Sequence, residues 1–175
     1  MPDNKSLETL QNRLTDKLKA VEEVTQGASW LGVEAHGKQV LLPLSHAGEI
    51  FPFEGAKRVP YVHSWFFGVA SLRGALCGVV DLGGFLTPGS ESPGVSAQTR
   101  VVALNPLLQI NSALMIDRLL GLKTRRDFVR SGKAPDGAPD YFGHKYTDPA
   151  GHTWQEINLQ KLALSDSFLN IADAV

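Results

Sequence analysis

The amino-acid sequence predicts an all-β fold, a barrel or sandwich, with flanking N-terminal and C-terminal helices. The first observation is a succession of short runs of β-branched and aromatic residues, separated by turns that contain glycine and proline. The second is that helical spacing of apolar residues is confined to the two ends of the chain, which disfavours a parallel α/β fold. With 175 residues, 43% of them hydrophobic, the chain can bury a core.

Residues 1–27 have the pattern of one amphipathic helix that ends at Gly27. Its apolar side chains recur at steps of three or four, with charged residues between them: Leu7, Leu10, Leu14, Leu18, Val21 and Val24. We expect this stripe to pack on the chain's own domain. A partner-binding or coiled-coil helix is the alternative, which the short seam does not favour.

After Gly27 the period changes to that of strands. The runs "WLGVEAH" and "KQVLLPL" predict a hairpin that turns at His36 and Gly37. "AGEIFPF" is a further short strand that stops at Pro52, because proline lacks the N–H that a central strand needs. Later strands are predicted in "WFFGVASL", "ALCGVVDL", "TRVVALN", "SALMIDRLLGLK" and "HTWQEINL". Leu159, Leu162, Leu164 and Phe168 then have the spacing of a terminal helix.

The stretch "VASLRGALCGVVDL", residues 69–82, predicts two strands joined by a tight turn at Arg73 and Gly74. Asp81 ends the second strand and is expected to cap a short helical turn through "LGGFL". The apolar side chains of this hairpin are expected to be buried: Leu72, Leu76, Val80 and Leu82. On that basis, replacing Leu76 with Ala is expected to destabilise the fold by about 2–5 kcal/mol.

Two segments rich in Gly, Pro and Ser interrupt the strands, at residues 86–98 and 131–140, and both are predicted to be surface loops. The first lies near the middle of the chain, with strands on both sides. We therefore expect residues 28–175 to contain two small β subdomains that share one core and divide near the 86–98 loop.

Charge and composition narrow the function classes. The formal net charge is −1, so no global field attracts nucleic acid or an anionic membrane, and neither is expected as a partner. Cys77 is the only cysteine, which excludes an internal disulfide and a multi-cysteine zinc site. The N-terminal stretch has no apolar signal-peptide core and no long apolar run follows, so we expect a cytoplasmic protein without direct membrane insertion.

Catalytic signatures are sparse. The sequence has no phosphate-binding loop, no dinucleotide fingerprint and no Gly-x-Ser-x-Gly motif, so no cofactor, metal or catalytic residue is predicted. His144, Asp148 and His152 could form a metal site of a hydrolase, although a polar turn explains their loose spacing better. The cluster "KTRRDFVR", residues 123–130, could bind nucleic acid through its basic residues and its aromatic, although a solvated edge explains it better. Cys77 has apolar neighbours and is expected to be a structural thiol.

The hairpin sequence "GVASLRGALCGVVDL" resembles the signature of CheW-like domains, in which Gly-Val-x-Asn-Leu-Arg-Gly precedes an apolar strand that ends in Val-Val/Ile-Asp-Leu. The runs "VPYVHSWFFGV", "TRVVALN", "ALMIDRLLGL" and "INLQKL" resemble further family segments in the same order, so the resemblance covers about residues 28–175. Ser71 departs from the usual Asn, and Gly78 from the usual Pro. The N-terminal helix, the two loops and the Trp154-containing end are more similar to CheW homologues of type IV pilus twitching systems than to flagellar ones.

This resemblance implies two SH3-like five-stranded barrels around a shared core, without catalytic activity. It implies an adaptor, recruited to membrane receptor arrays, that joins the regulatory domain of a CheA-type histidine kinase to the cytoplasmic tip of a chemoreceptor. On the receptor-facing side it places Ser71, Leu72, Arg73 and Gly74. Against the kinase it places Ala47, Glu49 and Ile50. From the residues alone, Arg73 could instead bridge backbone carbonyls of its hairpin, and Ile50 could be a core residue beside a solvated Glu49.

Overall fold

The computed structural model of the protein describes residues 9–19 and 29–173. In these residues the strands are β1 Trp30–Ala35, β2 Lys38–Pro43, β3 Ala47–Pro52, β4 Phe66–Leu72, β5 Ala75–Asp81, β6 Arg100–Leu104, β7 Ser112–Ile116, β8 Arg118–Lys123, β9 Arg130–Gly132, β10 Phe142–Thr147 and β11 Thr153–Ile157. The helices are α1 (9–19), α2 Leu82–Leu86, α3 Leu159–Leu164 and α4 Asp166–Leu169. The predicted all-β class with flanking helices is confirmed.

The first and last strands form one sheet of six strands, in the order β8-β1-β2-β11-β10-β9. β1 and β2 are the predicted hairpin, and its turn residues His36 and Gly37 both have positive φ, at 46° and 73°. Strands from the N-terminal and C-terminal parts of the chain pair directly: β11 lies parallel to β2, with Trp154 opposite Gln39. This pairing connects residues more than a hundred positions apart in the sequence, and no local sequence pattern predicts it.

The middle strands form a second sheet of five strands, in the order β3-β6-β7-β5-β4. Its two edges approach each other because the segment after β3 pairs with β4: Lys57 donates its N–H to the carbonyl of Val69 at 2.8 Å, and Val69 donates back at 2.9 Å. Gly68 permits this approach, since a Cβ there would lie 2.4 Å from the Lys57 carbonyl oxygen. The edge pairing curls the five strands into a small barrel.

The sheets do not divide near the 86–98 loop, where we predicted the boundary between two β subdomains. β5 and β6 lie on either side of that loop and belong to the same sheet, whereas β1 and β2 belong to the other. The first sheet also has six strands rather than five. Composition identified the loop as an exposed connection, but the sheet that each strand joins depends on long-range pairing that composition does not encode.

The buried side chains form three clusters. The first lies between the sheets and draws on both of them and on the C-terminal helices, with Leu42, Leu114, Ile157 and Leu162 all inaccessible to solvent. The second packs against the six-stranded sheet and contains Trp30, Leu41, Phe128, Tyr146 and Trp154. The third packs against the five-stranded sheet and contains Val79, Val101, Ala113 and Met115. The expected shared core is therefore present, with one additional cluster for each sheet.

A polar network also connects the two sheets. The His36 side chain, only 3% exposed, leaves the β1–β2 turn and approaches Asp81 at the end of β5, with 3.0 Å between Nε2 and Oδ2. Its Nδ1 lies 2.6 Å from Ser90 Oγ in the 86–98 loop. Asp81 is also the predicted cap of α2, because its side chain accepts a hydrogen bond from Gly84 N–H. The His36 imidazole packs directly against Gly83, because a Cβ added to Gly83 would lie 2.3 Å from the Cδ2 atom of His36.

The two ends of the chain differ from expectation. Residues 9–19 are helical, but Leu10, Leu14 and Leu18 are 56%, 55% and 65% exposed, so the expected packing of this stripe is wrong for these residues. Periodicity detects an apolar face without identifying what covers it. The remainder of the predicted 1–27 helix, including Leu7, Val21 and Val24, lies outside the described residues. No helix in the described part of the chain is long and apolar enough to cross a bilayer.

The predicted terminal helix consists of two short helices, because α3 ends at Leu164, α4 begins at Asp166, and Ser165 lies between them. Asn158 caps α3 by accepting a hydrogen bond from the N–H of Lys161. Leu159, Leu162 and Phe168 are buried in the core shared by the sheets, while Leu164 is 73% exposed.

Candidate partner-binding surface

The signature sequence, residues 68–82, forms the β4–β5 hairpin of the five-stranded sheet, and its most exposed part is the tip of that hairpin. Arg73 and Gly74 form the predicted two-residue turn, with φ values of 49° and 78° that match a hairpin turn in the left-handed region. Ser71 lies opposite Leu76 in the ladder, and both are exposed. The turn therefore presents its side chains to solvent.

The expectation that Leu76 is buried is wrong, since its side chain is 69% exposed. Leu72 is half-buried, whereas Val80 and Leu82 are buried as expected. The reason is the length of the hairpin, whose tip extends past the core while its base lies within it. Alternation along a strand identifies a face, but it does not show where the core ends.

Arg73 is paired with Glu49, and this pair joins the two predicted partner sites. The guanidinium Nη2 lies 2.5 Å from the carboxylate Oε1, with side chains 74% and 44% exposed. Arg73 thus contacts an acidic residue of β3 instead of bridging backbone carbonyls of its own hairpin. An ion pair this exposed stabilises a fold by only about 0–1 kcal/mol, so both charges remain available to a partner.

The predicted kinase-binding residues lie on β3, an edge strand whose outer side is free of sheet pairing at Glu49. Ala47 and Ile50 are half-buried and pack against the core shared by the sheets. Glu49 has the opposite orientation and is exposed. Of these three residues, Glu49 offers the most accessible contact.

Two concavities flank Arg73. One, of about 320 Å³, has an apolar lining that includes Phe51, Leu72, Ala75 and Cys77. The other, of about 220 Å³, lies on the side of Phe53 and Glu54. Burial raises the pKa of the Cys77 thiol, as expected for a structural cysteine. A charged pair beside apolar hollows has the composition of a protein-binding surface.

Sequence reasoning missed two exposed apolar residues at this end of the barrel. Leu76 is adjacent to the hairpin tip, and Leu107, which is 80% exposed, follows Pro106 at the edge of the larger concavity. The sequence did contain a sign of their exposure, because each residue lies within a few positions of a turn-forming Gly or Pro. Large apolar residues at turns are candidates for partner contacts rather than core.

The basic cluster at 123–130 does not have the geometry of a nucleic-acid surface. Phe128, its aromatic residue, is 5% exposed and packs against the rings of Trp30 and Trp154. Arg125 is held against Tyr146, with 5.7 Å from its guanidinium carbon to the ring centre. No aromatic face of this cluster is free to stack on a base.

The candidate metal ligands do not converge either. His144 lies 3.8 Å from Glu156, whereas His152 lies 3.2 Å from Asp148. The Asp148 carboxylate accepts hydrogen bonds from the Trp154 indole N–H and the His152 backbone N–H, which lower its pKa. Residues 9–19 and 29–173 contain no group of three or more potential ligands placed to hold a metal ion. The segment is the polar turn that its spacing suggested.

Comparison with known proteins shows similarity to a family model, to a curated protein and to a solved structure. The family model of the CheW-like domain matches residues 29–135. Over 111 residues the chain is 32% identical to Protein PilI of Pseudomonas aeruginosa, covering 63% of this chain and 61% of PilI, so the match spans about three fifths of that relative. The crystal structure of the scaffolding protein TtCheW from Thermoanaerobacter tengcongensis aligns with a TM-score of 0.60, at 14% identity, over 75% of this chain and 88% of TtCheW. The last match is one of fold.

Proposed function

The chain belongs to the CheW-like domain family, and on that premise we propose that it is a non-catalytic adaptor. It joins the cytoplasmic tip of a chemoreceptor to the regulatory domain of a CheA-type histidine kinase. The observation that carries this proposal is the signature arginine, Arg73, displayed at an exposed hairpin tip and paired with Glu49. An adaptor binds through surface complementarity and needs no reactive groups.

The receptor contact is assigned to the hairpin tip: Ser71, Leu72, Arg73 and Gly74. Arg73 supplies five N–H donors in a planar arrangement suited to carboxylates, and arginine is enriched among residues that dominate binding energy. Leu72 and the exposed Leu76 beside it supply apolar area.

The kinase contact is assigned to the β3 edge: Ala47, Glu49 and Ile50. The strand has a free edge at Glu49, whose charge also discourages pairing with a second copy of the sheet. Because Ile50 and Ala47 pack inward, Glu49 and the apolar concavity beside it carry the contact in this proposal.

We place the adaptor in type IV pilus twitching signalling, in the cytoplasm at receptor arrays. Support comes from the similarity to PilI and from the N-terminal and loop features that resemble the pilus homologues.

Binding to purified partners tests the proposal. The wild-type chain is expected to bind both a receptor cytoplasmic fragment and the kinase regulatory domain from the same organism. Arg73→Ala should lose most receptor binding, while Arg130→Ala, which removes an exposed arginine of the six-stranded sheet, should bind like the wild type. If the wild-type chain binds neither partner, the adaptor function is wrong.

The kinase assignment has its own test. Glu49→Lys reverses a charge at the edge strand and should slow association with the kinase regulatory domain, since rim charges act mainly on the association rate. Because Glu49 pairs with Arg73, the double exchange Glu49→Arg with Arg73→Glu separates two effects. If only the ion pair matters, the exchange restores binding to both partners; if each charge contacts its own partner, both interactions stay weak. Unchanged kinase binding of Glu49→Lys at low salt would exclude the assignment.

A further inference from the structure

A third concave surface lies away from Arg73, on the six-stranded sheet. This groove, which we name the β11 groove, has a volume of about 500 Å³ and lies over β11 between the flanking strands β2 and β10. Leu86 and Thr87, where α2 ends, line it as well. None of its lining residues lines either concavity beside Arg73. Its size lies within the range of about 300–1,000 Å³ typical of ligand-binding sites.

The walls of the β11 groove combine apolar and basic groups. Val40, Leu86 and Phe142 provide apolar surface, while Lys38 and Lys145 provide ammonium groups. His152 also lines the groove, and its ring nitrogen lies 3.2 Å from the Asp148 carboxylate. No aspartate or glutamate lines it. In a chain whose formal net charge is −1, this is a local positive surface.

Two glutamines in the groove have unused hydrogen-bond acceptors. Among the described residues, three buried side-chain oxygens have no hydrogen-bond partner, and two of them are the Oε1 atoms of Gln39 and Gln155, both lining residues. The Gln155 amide cannot simply turn over, because its Nε2 donates to the carbonyls of Gly143 at 3.0 Å and Glu156 at 2.9 Å. Both oxygens are closed to solvent, so they lie beneath the surface of the groove and its occupant does not contact them.

We propose that the β11 groove binds an acidic peptide segment of a partner protein, which inserts one large apolar side chain. The apolar side chain packs on Val40, Leu86 and Phe142. Carboxylates on either side of it meet Lys145 and Lys38. The charge of the lining selects an acidic segment over a basic one. This surface is separate from Arg73 and Glu49, so an adaptor can hold such a segment together with its other partners.

Nuclear magnetic resonance titration of the full chain tests the proposal. The probe is an acetylated and amidated peptide with a Phe-Leu centre flanked by Glu and Asp. It should shift the amide signals of Lys38–Val40 and Thr153–Gln155. Two control peptides, one with Lys and Arg flanks and one with a Gly-Ser centre, should bind much more weakly. No shift of these signals at the highest soluble peptide concentration, or equal binding of the basic peptide, would overturn the proposal.

Variants of the chain test whether the peptide binds in the β11 groove. Lys145→Glu should weaken binding of the acidic peptide about tenfold through charge reversal, and Thr153→Trp should block the groove by bulk. Both positions are exposed, so melting temperatures should stay close to the wild-type value. Lys133→Glu is the matched control, because it makes the same charge change at an exposed lysine outside the groove. An equal loss of affinity in Lys133→Glu would show that net charge, and not the groove, determines binding. None of these measurements depends on the receptor or the kinase.

Discussion

The base and the tip of the β4–β5 hairpin are built from one apolar sequence but have opposite environments. At the base, Val79 and Val80 are almost inaccessible to solvent, one in the cluster of the five-stranded sheet and the other in the core between the sheets. At the tip, Leu76 is 69% exposed and Arg73 projects into solvent. The two parts of the hairpin therefore have different roles: its base stabilises the fold, whereas its tip exposes side chains that contribute little to stability.

The largest loss of stability is expected from a substitution at the base of the hairpin. Leu82, the first residue of α2, is fully buried in the core shared by the sheets. Leu82→Ala should lower the free energy of unfolding by about 2–5 kcal/mol, because it removes buried methyl groups and leaves a cavity. Urea denaturation measures this value. A loss below about 0.5 kcal/mol, typical of surface substitutions, would remove the distinction between base and tip.

A smaller loss in the free energy of unfolding is expected from Gly83→Ala, at the residue after Leu82. The new Cβ would lie 2.3 Å from the His36 ring, which Asp81 and Ser90 hold in place, so the contact between the sheets must shift. Overpacking of this kind destabilises by about 1–3 kcal/mol. Gly132→Ala is the matched control, since nothing lies within 4 Å of a Cβ at that position. Equal melting temperatures for the two variants would show that the His36 contact is not rigid.

At the tip, Arg73→Ala should change the free energy of unfolding by at most about 1 kcal/mol, because it removes one exposed ion pair and retains a side chain in the same backbone conformation. Thermal melting beside the receptor-binding assay separates stability from recognition. A loss well above this value would mean that Arg73 is a structural residue and would weaken its assignment to the receptor.

The smallest effect is expected for Leu76→Ala, within about 0.5 kcal/mol of the wild type as for other exposed substitutions. Its comparison with Leu82→Ala is the sharpest test of the division, because the same chemical change is made six positions apart along one segment. Destabilisation of Leu76→Ala by 2 kcal/mol or more would place the edge of the core beyond the tip and contradict its exposure.

The candidate site shows the same division between what could and could not be predicted. The turn at Arg73 and Gly74 was predictable, because a two-residue hairpin turn requires positive φ and glycine favours it. The exposure of Leu76 was not, because it depends on where the core ends. The pairing of Arg73 with Glu49 was also hidden, since it follows from the curling of the five-stranded sheet.

Short windows of sequence were enough to predict the local elements: the hairpin at His36 and Gly37, the cap at Asp81, the strand that ends at Pro52 and the helical C-terminal segment. Each depends on interactions among residues a few positions apart, so a short window of sequence contains its cause. Three features became visible only in the folded chain: β1 and β2 join the C-terminal strands, the 86–98 loop connects two strands of one sheet, and the side chains of Leu10, Leu14 and Leu18 are exposed. These outcomes depend on pairing and burial between distant segments, whose free energies are set by the whole fold rather than by any local pattern.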